Sequence, residues 1–306
     1  MNLHRINKNF GIKFFKHPNN LNYNIFNFFF RKKIKKKIDN DLVKNYHDLG
    51  YIKLNINDFE LANYLSNRIN EKDAKKKIYL SNEHSIYFEA DEEMKEKIRN
   101  QISNNFGEII EKLKKYYLND IAVVNVEIKR NYGLKDSGYY ELKNRLKENE
   151  FYNMYYHCDY YTMNYFKLFI NLQDITTEHG PLTFYNIEET RNFVSKSDFK
   201  DRNNYQNIEL KSEIKNCGQI GDSLIINTSL CIHKAGIPKY KNHRDVLCVT
   251  FVATPEKIND LFYYEKNYPG DIWNLEKRVA KKFSKPKNLR NTYKLYKELT
   301  NNFKNF

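Results

Sequence analysis

Gly221-Asp-Ser-Leu-Ile-Ile-Asn-Thr-Ser-Leu-Cys-Ile-His233 is the stretch on which the reading of this chain turns. A glycine turn opens it, apolar β-formers follow, and a histidine closes it, so 224–233 reads as strand material ending in a polar ligand. The same rhythm recurs on both sides. From Tyr152 to Ala253, short β runs fall at about 152–160, 166–173, 181–185, 207–211, 223–228, 230–235 and 244–253. Turns at Gly180-Pro181, Gly218 to Gly221 and Gly236 to Pro238 separate them. Many short strands with metal-ligating residues threaded through them predict a mainly β fold with flanking helices (α+β). The expected architecture is a double-stranded β-helix, a jelly roll of cupin-like type.

His157-Cys-Asp159 lies on the first of these runs. Positions i and i+2 of a strand share a face, so His157 and Asp159 point the same way and Cys158 points the other. With His233 they form a candidate set of two imidazoles and one carboxylate, which leaves further positions of a metal open and is the pattern of non-haem Fe(II) sites. Each residue also has a plain explanation. A lone buried histidine is more often a hydrogen-bonded structural residue, and His157 with Asp159 could be a surface charge pair. Arg244 adds weight to the metal reading. It stands eleven positions after His233, at the head of the apolar run 244–253. A guanidinium there could grip the far carboxylate of a dicarboxylate cosubstrate with two parallel hydrogen bonds. Ferrous iron, Asp159, such a dianion and Arg244 would balance to neutrality, which a dry interior tolerates far better than a net charge.

Residues from about Asp48 to Ala253 resemble the phytanoyl-CoA dioxygenase family of Fe(II)/2-oxoglutarate oxygenases. His157-Cys-Asp159 matches its H-x-D. Phe166-Lys-Leu-Phe-Ile-Asn-Leu-Gln-Asp-Ile-Thr-Thr-Glu-His-Gly-Pro-Leu182 matches its strand, acidic turn and Gly-Pro. Gly221-Asp-Ser-Leu-Ile-Ile-Asn-Thr-Ser229 followed by His233 matches its Gly-Asp strand and distal histidine, and Arg244 falls at its oxoglutarate arginine. Asp48-Leu-Gly-Tyr-Ile52 then Asn57-Asp-Phe-Glu60 resembles its entry, a short strand and then a helix. H-x-D alone is weak, but the pieces in this order are specific. The resemblance implies an Fe(II)/2-oxoglutarate-dependent dioxygenase that uses O2, releases succinate and CO2, and hydroxylates an unactivated C–H of a small molecule. His157, Asp159 and His233 would hold the metal and serve as the catalytic centre. Arg244 would bind the cosubstrate, and Phe169 would line its pocket. The chain departs from the family at Phe184-Tyr-Asn-Ile-Glu-Glu-Thr190, where a Pro-Gly-Ser-His loop is common, and at Tyr156, often tryptophan. Asp159 is present, whereas related halogenases replace that acid with a small residue, so hydroxylation-type chemistry is implied.

The net charge of +14 is concentrated at one end. Ten Lys and Arg precede Asp39, with no acidic residue among them, and Asn24-Ile-Phe-Asn-Phe-Phe-Phe30 runs straight into Arg31-Lys-Lys-Ile-Lys-Lys-Lys37. The favoured reading is a compositional bias, with the aromatics packed and the lysines solvated. Peripheral contact with an anionic membrane through 24–37 is the alternative. Nucleic acid is disfavoured, with the basic arm as its only support. No apolar run approaches eighteen residues, so no transmembrane helix is expected. The four cysteines form no C-x-x-C pair, which argues against zinc and a disulfide framework and for buried thiols in a reducing, cytoplasmic setting.

The expected domains are a basic arm at 1–45, an oxygenase domain with N-terminal helices at 46–256, and a helical extension at 257–306. Leu61, Leu65 and Ile69 place a helix over 58–70, and Met94, Ile98, Ile102, Phe106, Ile109 and Leu113 place another over 91–117 with Gly107 inside it. Lys167 reads as a strand-edge lysine in solvent, with a substrate or cosubstrate contact as the alternative, and His179 and His243 read as exposed. Two other function classes remain open: a non-catalytic cupin-like binding module, or an oxygenase acting on a nucleic acid or protein recruited by the arm. Neither the substrate nor the oligomeric state is legible.

Overall fold

A computed structural model describes residues 41–54, 59–74, 80–82, 85–117, 119–133, 155–159, 165–196, 210–254 and 257–268. The basic arm before residue 41, including 24–37, and the extension after residue 268 lie outside them. Among the described residues, no helix is long and apolar enough to cross a membrane.

The protein is mainly β with flanking helices. Helix α1 (Asp41–Leu49) leads into strand β1 (Tyr51–Leu54) and helix α2 (Phe59–Ala74). Strands β2 (Leu80–Asn82) and β3 (Ser85–Phe88) precede the long helix α3 (Glu92–Tyr117) and strand β4 (Asp120–Tyr132). Then come β5 (Tyr165–Asn171), a 3-10 turn (Thr177–His179), β6 (Thr183–Phe184) and helix α4 (Ile187–Lys196). Strands β7 (Ile214–Lys215), β8 (Ser223–Ile226), β9 (His233–Lys234) and β10 (His243–Thr254) follow, and short helix α5 (Tyr263–Asn267) closes the described chain.

Two antiparallel sheets face each other in a jelly roll. The larger has the order β1-β8-β5-β10-β4-β3-β2, and the smaller β7-β6-β9. Alternation sorts the larger sheet's side chains. Leu247, Val249, Phe251 and Ala253 of β10 join Phe166, Leu168 and Ile170 of β5 in a core shared with α2 and α3. Val246 and Cys248 face the other way, toward Phe169, Leu224, Ile226 and Phe184 between the sheets.

Both long helices lie where the apolar spacing puts them. Leu61, Leu65 and Ile69 of α2 and Met94, Ile98, Ile102, Phe106 and Leu113 of α3 are at most 1% exposed. Burial of each large apolar side chain contributes about 1.5–3 kcal/mol, so this stripe, rather than local propensity, fixes the helices to the sheet.

The strand boundaries differ from the expected ones. The run 230–235 is a strand only at β9, because the chain turns first. Asn227 O accepts from the amides of Leu230 and Cys231 at 3.0 and 2.9 Å, and Asn227 Oδ1 accepts from Leu230 at 3.1 Å. Those amides are therefore withheld from a ladder. Within the described part of 152–160, only His157 pairs, as an isolated bridge to His233. The run 207–211 lies largely outside the described residues, and the strand of that region is β7, further on.

Candidate metal centre

The backbone first brings the two histidines together. His157 N–H donates to His233 O and His233 N–H to His157 O, both at 2.9 Å, so the two residues form a hydrogen-bonded antiparallel pair with their rings on one side. The ring centroids lie 4.3 Å apart. Each ring is then oriented by the carbonyl two residues before it. His157 Nδ1 lies 2.7 Å from Tyr155 O, and His233 Nδ1 lies 2.9 Å from Cys231 O. A carbonyl can only accept, so Nδ1 carries the proton and the Nε2 lone pair of each neutral ring is left bare.

Asp159 completes the set. Its amide donates to Thr228 O at 2.9 Å, tying the H-x-D segment to the turn after β8. Its Oδ1 lies 3.8 Å from each imidazole Nε2. Ligand atoms of His157, Asp159 and His233 all lie within 4.8 Å of one another, and both histidines are buried. Cys158 points away, into a cluster with Tyr156, Tyr185 and Ile232. The donor set is therefore two nitrogens and one oxygen with no thiolate, which suits ferrous iron better than a zinc–thiolate site. Burial by itself would raise the Asp159 carboxyl, but Lys167, His233 and His157 outweigh it and hold the group well below the usual carboxylate range. The carboxylate is thus an anion, ready to ligate.

Arg244 enters from the head of β10. It is buried at 5% exposure, and its Nη1 donates to Gly180 O at 2.5 Å. Its Nε has no partner. Among the described residues, no carboxylate pairs with this guanidinium. Burial lowers its pKa to about 10, so it stays charged at neutral pH. A buried cation with an unpartnered N–H and no counter-ion is a place for an anion. Phe169 is 8% exposed and packs beside Leu224, Val246 and Cys248, on the strand next to Arg244's β10 and on the same inner surface.

Three inward-facing charged residues were not legible as such from the motifs. Lys167 is neither on an edge strand nor in solvent. β5 lies between β8 and β10, and Lys167 Nζ sits 2.7 Å from Asp159 Oδ2. Its position two residues before Phe169 was the available signal, since alternation puts both on the inner face. Glu127 and Lys129 of β4 pair with Cys248 and Val246, and so also face inward, with Lys129 Nζ 3.4 Å from Glu127 Oε2. The charge balance expected from iron, Asp159, dianion and Arg244 must therefore include the Lys167 ammonium. His179, by contrast, accepts from Thr176 N–H at 3.1 Å in a capping box, and His243 is about two-fifths exposed.

No protein-family model matches this sequence, and no curated protein sequence matches it. Solved structures give distant likenesses. One is the epimerase SnoN in complex with Fe3+, alpha ketoglutarate and nogalamycin RO, at 12% identity and a TM-score of 0.47, over 75% of this chain and 90% of that one. Another is HygX from Streptomyces hygroscopicus with nickel, 2-oxoglutarate and hygromycin B bound, at 9% identity and a TM-score of 0.47, over 71% and 88%. A third is EctD from S. alaskensis with 2-oxoglutarate and 5-hydroxyectoine, at 12% identity and a TM-score of 0.43, over 71% and 77%. Likenesses this faint decide nothing about the chemistry of this chain.

Proposed function

We propose that this chain is a non-haem Fe(II)/2-oxoglutarate-dependent dioxygenase that hydroxylates an unactivated C–H of a small molecule, releasing succinate and CO2. The observation that carries the proposal is one interior surface holding both halves of the site. Two bare imidazole nitrogens and an ionised carboxylate converge there, and the Arg244 guanidinium, on the same face of β10 as Val246 and Cys248, is buried with no carboxylate partner among the described residues. His157, Asp159 and His233 would hold iron. Arg244 would hold the distal carboxylate of 2-oxoglutarate, with Phe169 against its carbon chain. Iron bound there would supply activation of O2, with two electrons from oxidative decarboxylation of 2-oxoglutarate and two from the C–H bond.

The residues of the chain account for the rest. The Tyr155 and Cys231 carbonyls keep both rings in the ligating tautomer. Leu224, Val246 and Cys248 pack with Phe169 in a buried apolar cluster, and such a low-dielectric lining strengthens an ion pair to a bound dianion. The ligand atoms lie inside the fold, so a reacting C–H must enter to meet them, and this favours a small substrate.

The proposal is tested by measuring succinate formed from 2-oxoglutarate with added Fe(II) across a panel of small metabolites. Stimulated release is expected for the wild-type protein. Asp159→Ala should lower it at least ~100-fold, because the one carboxylate among the three protein ligands is lost. Wild-type turnover in that variant would contradict the assignment.

A further inference from the structure

We propose that Lys167 is a positioning residue for Asp159: its ammonium holds Oδ2, so that Oδ1 alone is presented to a divalent cation gripped by His157 and His233. The inference rests on the metal-site reading above and adds a role that none of the ligating residues supplies.

The two oxygens of Asp159 are chemically equal but differently placed. Oδ1 is equidistant from the two Nε2 atoms at 3.8 Å. Oδ2 lies 2.7 Å from Lys167 Nζ. Rotation about the last carboxylate torsion is soft, so an unrestrained Asp could turn both oxygens toward a cation. Two-oxygen chelation by Asp would occupy a position that a chelating cosubstrate or oxygen needs. Lys167 prevents this without competing as a ligand, because a protonated ammonium has three donors and no lone pair.

The lysine is fixed from below. It sits on central strand β5, opposite Ile226 on one side and Thr250 on the other, and its side chain is only 17% exposed. Asp159 is fixed from its own side by the hydrogen bond its backbone N–H donates to Thr228 O. Register on one strand and a turn hydrogen bond on another thus set which oxygen is free.

The opposing interpretation is that Lys167 merely stands in for a cation and competes with metal for Asp159. The two differ in sign. Full-length wild type, Lys167→Met, Lys167→Arg and Lys167→Gln are titrated with Co(II), following the visible d–d bands, with melting by circular dichroism as a check on folding. A positioning role predicts Co(II) binding about 10–100-fold weaker in Lys167→Met, an altered band shape, and recovery of both in Lys167→Arg. Unchanged or tighter binding in Lys167→Met would overturn it. If Lys167→Met does not fold, the same sign is read from Lys167→Gln, whose amide keeps hydrogen-bond donors and lacks the charge. Failure of the wild type to bind Co(II), or binding by Asp159→Ala as tight as wild type, would instead remove the metal site itself. A wild-type site that binds while Lys167→Met binds equally well removes only the role of Lys167.

Discussion

At the scale of single residues, the site is made by atoms whose hydrogen-bonding capacity is deliberately left over. Each histidine spends Nδ1 on its own chain and keeps Nε2. Asp159 pairs Oδ2 with the Lys167 ammonium as an ion pair at 2.7 Å and keeps Oδ1. Arg244 spends one N–H on Gly180 and leaves Nε unpartnered in the interior. If that guanidinium receives the cosubstrate's carboxylate, Arg244→Met removes charged hydrogen bonds that contribute roughly 1.5–3 kcal/mol each. The Michaelis constant for 2-oxoglutarate should then rise about 10- to 150-fold for each bond lost, with that for Fe(II) little changed. Steady-state titration of each cofactor checks this, and equal effects on both would show that Arg244 is structural.

At the scale of elements, two glycines make opposite predictions. Gly107 lies inside α3 with open space where a Cβ would stand. Gly107→Ala should therefore stabilise the protein by about 0.5–1 kcal/mol, read as a raised urea midpoint with unchanged slope. Gly180 has φ of +62°, and a Cβ there would come within 2.4 Å of the Ile237 backbone carbon. Gly180→Ala should cost more than 1–2 kcal/mol in strain and contact. It should also weaken 2-oxoglutarate binding, since the Gly180 carbonyl holds Arg244. The Gly-Pro turn quoted from the sequence thus acquires a physical reason: two backbones cross too closely there for any side chain. The helices were legible because a period of 3.6 on one apolar face is a local signal. The bounds of β9 were not, because Asn227 turns back the amides of Leu230 and Cys231, and such competition for backbone donors leaves no mark in hydropathy.

At the scale of the whole molecule, metal binding and folding are one equilibrium. The three ligands come from the chain around residues 157–159 and from β9, and converge only in the folded state, so a bound ion stabilises that state. Co(II) at a hundredfold excess over its dissociation constant should add about 2.7 kcal/mol, or roughly 4 °C in melting temperature for a chain of this size. Asp159→Ala should show no such shift, and calorimetry with and without Co(II) decides it. Residue order alone gave the β-rich class, the core faces of α2 and α3, the shared face of His157 and Asp159, and the turn of Cys158 away from both of them. All of these follow from periodicities of 2 and 3.6 within one segment. Only the tertiary structure decided that His157 pairs with His233, that Gly180 anchors Arg244, and that Lys167 enters the interior to meet Asp159. Two of those contacts join segments more than sixty residues apart, and the third, Lys167 with Asp159, joins a central strand to a segment outside the ladder; all depend on sheet register and order, and neither is written in the pattern of any one strand.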